Sequence, residues 1–322
     1  MRIDARPRTE EPHVDLDARP RASPPPARQP YEVAAPAETP ERVAFFAGLR
    51  AQAARLDAPS APPSRDAIVG ARLDALRDAF SGPYTVEGRA VAAAPMFRMN
   101  GGFNDRAGRA QEPALRAIAT STGAHPGMST VGRGSPRDLV RTTQALIDHG
   151  HLPPPPGDVA TRIRQMQWQW GIGVDCAGYA YAAIVAASGT SPQKLGLAPI
   201  QMENFRALDG LRTFTKVPLS SARPGDVITL DPRPPETVGH NVIVRSRSVV
   251  GSRHVLEVDS SWGAGPAGAE YGGFRRDTWI FDESTKLWTS FDVHVSPPSE
   301  RVSAEGPAGE RLHGCYRARV GT

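Results

Sequence analysis

The chain has 322 residues, 39% hydrophobic and 22% charged, enough apolar material for one large domain with appendages or two modest ones. Its formal charge of +4 rests on scattered arginines, since lysine stands only at Lys194, Lys216 and Lys286, and a nucleic-acid groove would need a basic patch or stripe instead. Two cysteines are too few for a disulfide framework.

The longest small and apolar run, about a dozen residues after Cys176, is too short to span a bilayer. The first residues carry no apolar core of signal-peptide length. A soluble chain made in the cytoplasm is expected, whose export would need a route that reads no classical leader.

Residues 1–40 hold nine prolines, six arginines and seven acidic residues. Such a stretch cannot offset its ordering entropy by burial and reads as a disordered leader. In residues 41–82, Val43, Phe46, Leu49, Ala53 and Leu56 recur at helical spacing. After the prolines at 59–63, Val69, Leu73, Leu76 and Phe80 line a second helix, stopped by Ser81-Gly82-Pro83. These two helices read as a pre-domain or tether, or pack onto a main domain spanning 83–322.

In that domain a strand is expected over 84–94, then a glycine loop at Asn100-Gly101-Gly102. Ser135-Pro136-Arg137-Asp138 opens a helix to about His149, with Pro136 in the first turn where its missing N–H costs nothing. The prolines at 153–156 form a stiff connector. Asp158 caps a helix to about Trp170, and Gly171 and Gly173 lead into an apolar helix beginning at Cys176. Beyond Ser191 one helix is expected over 199–208, then strands over 227–230, 240–247, 254–260, 278–281, 287–293 and 315–320. Helices first and neighbouring strands after them indicate an α+β fold.

Cys176 stands at the mouth of its helix behind Asp175, a potential cap. Unpaired N–H groups and the positive dipole end favour a thiolate there. Cys315 reads as a buried thiol. A cysteine nucleophile needs a base, and eight histidines compete for the role. His13 lies in the leader, and His125, His149, His151, His294 and His313 lie beside proline- or glycine-rich segments. His240 instead begins an alternating strand and shares a face with Val242 and Val244. In the next strand Val255, Glu257 and Asp259 share a face, so antiparallel pairing would let either acid orient the imidazole. The turn Ser260-Ser261-Trp262 favours Asp259, and Glu257 is the rival. Trp168 and Trp170 do not share a helix face, so at most one lines a substrate groove, and packing under the cysteine helix is the favoured reading. No phosphate loop ends in Gly-Lys-Ser or Gly-Lys-Thr, and paired metal-ligand spacing is missing, so no cofactor or metal is expected.

Asp175-Cys176-Ala177-Gly178-Tyr179 resembles the Asp-Cys-Ser-Gly-Phe signature of the NlpC-type papain-like cysteine peptidases and amidases, relatives of the CHAP amidases. Pro224-Gly225-Asp226-Val227-Ile228 and Gly239-His240-Asn241-Val242-Ile243-Val244 resemble the Pro-Gly-Asp-Leu and His-Val-Gly-Ile stretches of the same family, over roughly residues 165–262. The resemblance implies a papain-like core with the cysteine helix on an antiparallel sheet. It implies hydrolysis of peptide or amide bonds, most often in bacterial cell-wall peptides, with Cys176 as nucleophile, His240 as base and an oxyanion hole partly from the Cys176 N–H; Asp259 would take the third role. Wall-directed activity without a leader would suit a secreted antibacterial effector, with secretion or immunity partners unspecified. A transferase or deamidase acting on a protein, or a non-catalytic binding module of the same fold, are the alternatives.

Overall fold

The computed structural model describes residues 63–98, 105–123, 126–200, 205–231, 239–263, 272–292, 299–304, 306–307 and 311–319, all in the unit Glu38–Thr322. The proline-rich leader, the first expected helix and the loop at 100–102 lie outside these residues.

Helix α1 is Arg65–Phe80, where the Ser64 side chain accepts from the Ala67 N–H and Val69, Leu73 and Phe80 are buried as the periodicity requires. The stretch expected as one strand over 84–94 is a small hairpin, β1 (Tyr84–Val86) and β2 (Arg89–Val91). It turns because Glu87 and Gly88 adopt φ of 50° and 75°. Helix α2, Asp105–Thr122, was not expected, because Pro113 sits inside it and apolar side chains are few. Helix α3 is Pro136–Asp148, capped by Ser135, and α4 is Val159–Gln169, capped by Asp158. Helix α5 is Cys176–Ser188, capped by Asp175 and ended by Gly189 at φ 65°. Among the described residues no helix is long and apolar enough to cross a membrane.

The strands are β3 (Phe214–Val217), β4 (Val227–Leu230), β5 (His240–Val250), β6 (Arg253–Trp262), β7 (Gly273–Asp282), β8 (Leu287–Asp292), β9 (Ser299–Ser303) and β10 (Leu312–Ala318). They form one antiparallel sheet in the order β3-β10-β4-β5-β6-β7-β8-β9. All six expected strands are present, and β3 and β9 add to them. The helix expected over 199–208 is a short 3-10 turn, Phe205–Gly210, with 201–204 outside the described residues. The protein is a mixed α+β structure.

Each face of the sheet has its own core. On one, α1 and α5 bury Val69, Leu73, Phe80, Tyr179, Ala180 and Ile184 against Val227, Ile243 and Tyr316. On the other, Ile228, Leu230, Val242, Val244, Leu256, Val258, Trp279, Trp288 and Cys315 pack together, joined by Leu219 and Ala222. Because α1 supplies part of the first core, the boundary drawn after residue 82 falls within the packed body. This helix is neither tether nor separate pre-domain. Central strands sandwiched in this way are apolar on both sides.

Candidate active site

Three separate segments hold the turn that delivers Cys176. The Val174 N–H donates to the Met96 carbonyl at 3.0 Å, the Gly173 N–H to that of Ser129 at 3.1 Å, and the Asp175 N–H to that of Gly132 at 2.8 Å. The Val174 carbonyl in turn accepts from the Arg98 N–H at 3.2 Å and from Ser261 Oγ, on β6, at 2.7 Å. Gly178 has to be glycine at this junction: a Cβ there would meet the Gly132 carbonyl at 2.2 Å.

Asp175 caps α5 as expected. Its Oδ1 accepts from the Gly178 N–H at 2.5 Å and its Oδ2 from Arg133 Nε at 3.2 Å. Arg133 also reaches the Ile200 carbonyl, at 2.6 Å. Burial nevertheless pushes the Asp175 carboxyl up to about 6, with Arg133 and the capped amides opposing.

Cys176 is buried at the first position of α5, and Asn241 on β5 donates from Nδ2 to its sulfur at 4.0 Å. Burial, with Asp175 adding to it, pushes the thiol up to about 12, while the Asn241 and Ala177 backbone N–H groups pull the other way. The thiol is therefore neutral at pH 7 in this conformation.

His240 lies on the opposite face of the sheet. It pairs with Leu230 across β4, and its ring lies against Trp262 with centroids 3.7 Å apart. Burial, then the charge of Arg275, pushes the imidazole down to about 3, and its Nε2 is buried without a hydrogen-bond partner. Arg275 stands over Trp262, 5.3 Å from the ring centroid, and pairs with Asp277 at 3.0 Å.

Asp259 is on the helix side. Its carboxylate takes Arg276 through two nitrogens, at 2.7 and 3.0 Å, and Arg77 from α1 at 3.3 Å. Arg276 continues to Asp74 at 3.3 Å, and Asp74 also binds Arg245, joining α1 to β5, β6 and β7. Glu257 accepts from Ser246 Oγ at 3.0 Å.

The arrangement expected of Cys176, His240 and Asp259 is therefore not brought together. The alternation was right, since His240 shares a face with Val242 and Val244, as does Glu257 with Asp259. The antiparallel pairing was right too. What fails is sidedness: Ile243 pairs with Asp259 and Val244 with Val258, so the His240 and Asp259 faces are opposite sides of the sheet. Asp259 is an anchor for α1 and orients no imidazole, and neither does Glu257.

The residues that do meet the cysteine turn, Asn241, Ser261 and Arg133, were not anticipated. Period two alone puts Asn241 opposite His240, which was the available signal for it. Ser261 lay in the turn used to favour Asp259. Arg133 had none, because it comes from a distant loop.

Trp170 packs with Leu115, Leu146, Met166 and Ile172, its ring 4.6 Å from that of His151. Trp170 thus packs as a core residue, but against α2, α3 and α4 and not under the cysteine helix. Cys315 is buried in the core away from the helices.

No protein family, curated protein or solved structure matches this chain.

Proposed function

We propose that the chain is a cysteine hydrolase of peptide or amide bonds with a papain-like core and Cys176 as nucleophile. The observation that carries this reading is the seating of Cys176 Sγ: first residue of a capped helix, in a turn fixed from three directions, with the Asn241 amide 4.0 Å away at the start of β5. A thiol fixed among first-turn amides meets the positioning requirement of attack on a carbonyl.

His240 is the base in this reading. It neighbours Asn241 at the first position of β5 but faces the other side of the sheet, so to reach the thiol the start of β5 would have to turn as the ring leaves Trp262. The S–H proton passes to His240 Nε2 as the C–S bond forms. It then passes to the departing amine as the C–N bond breaks, and water cleaves the thioester to release acid and free thiol. Cell-wall peptides are the substrate class favoured by the motif resemblance, and delivery as an antibacterial effector belongs to the same proposal.

A second reading, a binding module that keeps the fold without turnover, draws on the neutral thiol and the imidazole on the far face. The pH dependence of Cys176 alkylation, with Cys315 replaced by serine, decides between them. Labelling that is fast well below pH 8 and lost in His240→Ala supports the hydrolase. A thiol held near 12 has a thiolate fraction of roughly one in 10⁵ at pH 7. Labelling that climbs only above pH 10, equally in both proteins, overturns the hydrolase reading.

A further inference from the structure

Cys176 Sγ has a side-chain donor beside it, while the Asp175 carboxyl behind it is turned to the Gly178 N–H and Arg133. Asn241 presents its side-chain N–H to that sulfur at 4.0 Å. The Cys176 N–H itself belongs to the first-turn amides that a helix leaves without a carbonyl partner. A neutral thiol has little use for these two donors, whereas an anion forming beside it uses both.

Asn241 is half-buried, and strand alternation points it toward α5 with Ile243. Directly across the β5–β6 ladder, continuing the register from Ile243 and Asp259, stands Ser261, which ties down the Val174 carbonyl. The amide is thus carried on a sheet clamped to the same turn as the thiol. The two components of the site are tied together through the Ser261 side chain.

We infer that Asn241 is a catalytic residue of this site, its Nδ2 supplying the side-chain donor of an oxyanion hole whose other donor is the Cys176 N–H. The inference rests on the hydrolase reading. As the C–S bond forms, the carbonyl π pair moves onto oxygen, and that oxygen receives a hydrogen bond from Asn241 Nδ2. When the oxyanion collapses, the C–N bond breaks and the pair returns to the carbonyl. Donors serving this role stand about 3 Å from the developing charge, and removing one such side-chain donor lowers the rate by roughly 10²–10³-fold.

The test compares two reactions of one sulfur in the full chain: alkylation by iodoacetamide, which forms no oxyanion, and acylation by p-nitrophenyl acetate, which does. Asn241→Ala and the near-isosteric Asn241→Leu are measured with wild type and Cys176→Ala, each checked for its melting temperature. Acylation is expected to fall about 10²-fold in both Asn241 variants, with alkylation changing less than about threefold. If acylation persists unchanged in whichever variant folds, Asn241 has no such role and the hydrolase reading survives. If both reactions fall together, Asn241 serves the thiol's ionisation and the oxyanion role is overturned. Wild-type acylation no faster than in Cys176→Ala removes the hydrolase reading and this inference with it.

Discussion

Replacing Asp259 with alanine distinguishes a catalytic carboxylate from a structural one. Its side chain is 1% exposed, while its partners Arg77 and Arg276 are 30% and 38% exposed. Breaking a buried ion pair from one side costs about 3–5 kcal/mol, mostly because the remaining charge is stranded. Here both arginines reach water and Arg276 keeps Asp74, so the lower end applies, about 3 kcal/mol. For a chain of this size that is a fall in melting temperature of about 4–6 °C. Urea denaturation should show the same loss with an unchanged slope. Cys176 alkylation at a temperature where the variant is folded should stay within about twofold of wild type, because Asp259 has no contact with the thiol or with His240. Unchanged stability together with a displaced alkylation pH profile would refute the assignment and return Asp259 to the catalytic group.

Three further outcomes follow from the geometry. The Asp175 carboxyl, raised by burial to about 6 against about 4 unfolded, makes the folded state bind more protons between those values. Stability should therefore fall as pH rises from 4 to 6, by no more than about 3 kcal/mol, and Asp175→Asn should remove that slope in chemical denaturation at several pH values. Gly178→Ala should destabilise by about 1–3 kcal/mol despite the better helix propensity of alanine, because its Cβ would meet the Gly132 carbonyl at 2.2 Å; thermal melting checks it. Trp262→Ala should let the His240 imidazole regain water and titrate well above 3, moving toward the ordinary histidine range, read by imidazole NMR.

The capped helices were legible because their signals are local. Ser135, Asp158 and Asp175 each accept from the N–H three residues on, and each lies beside an apolar or small-residue run. The strand positions were legible for a similar reason, being apolar and β-branched between turns. Helix α2 was not, since Pro113 contradicts the local rule and packing of Leu115 and its neighbours overrides it.

The site was half legible. Cys176 could be found from its helix mouth, but the side faced by His240 could not. Val242, Ile243 and Val244 are all fully buried, so the strand has no wet face against which to decide which residues look toward α5. The two acids on β6 looked like partners for a base because their own partners, Arg77 and Arg276 for Asp259 and Ser246 for Glu257, lie far away in sequence or on another strand. A reading by pattern supplies period and pairing; it does not supply which of two dry faces a helix will cover.

The place of β10 in the sheet has a consequence for how the chain matures. It follows β9 in sequence yet lies between β3 and β4, and among the described residues β3 joins the sheet through it. During synthesis the hairpins from β4 to β9 can pair as they emerge, but the outer flank of β4 stays open until β10 is released. Until then β4 offers an uncovered row of backbone donors and acceptors to any neighbouring chain. Loss of the segment carrying β10 would leave nascent molecules prone to cross-pairing, even though that segment contributes no side chain to the thiol site.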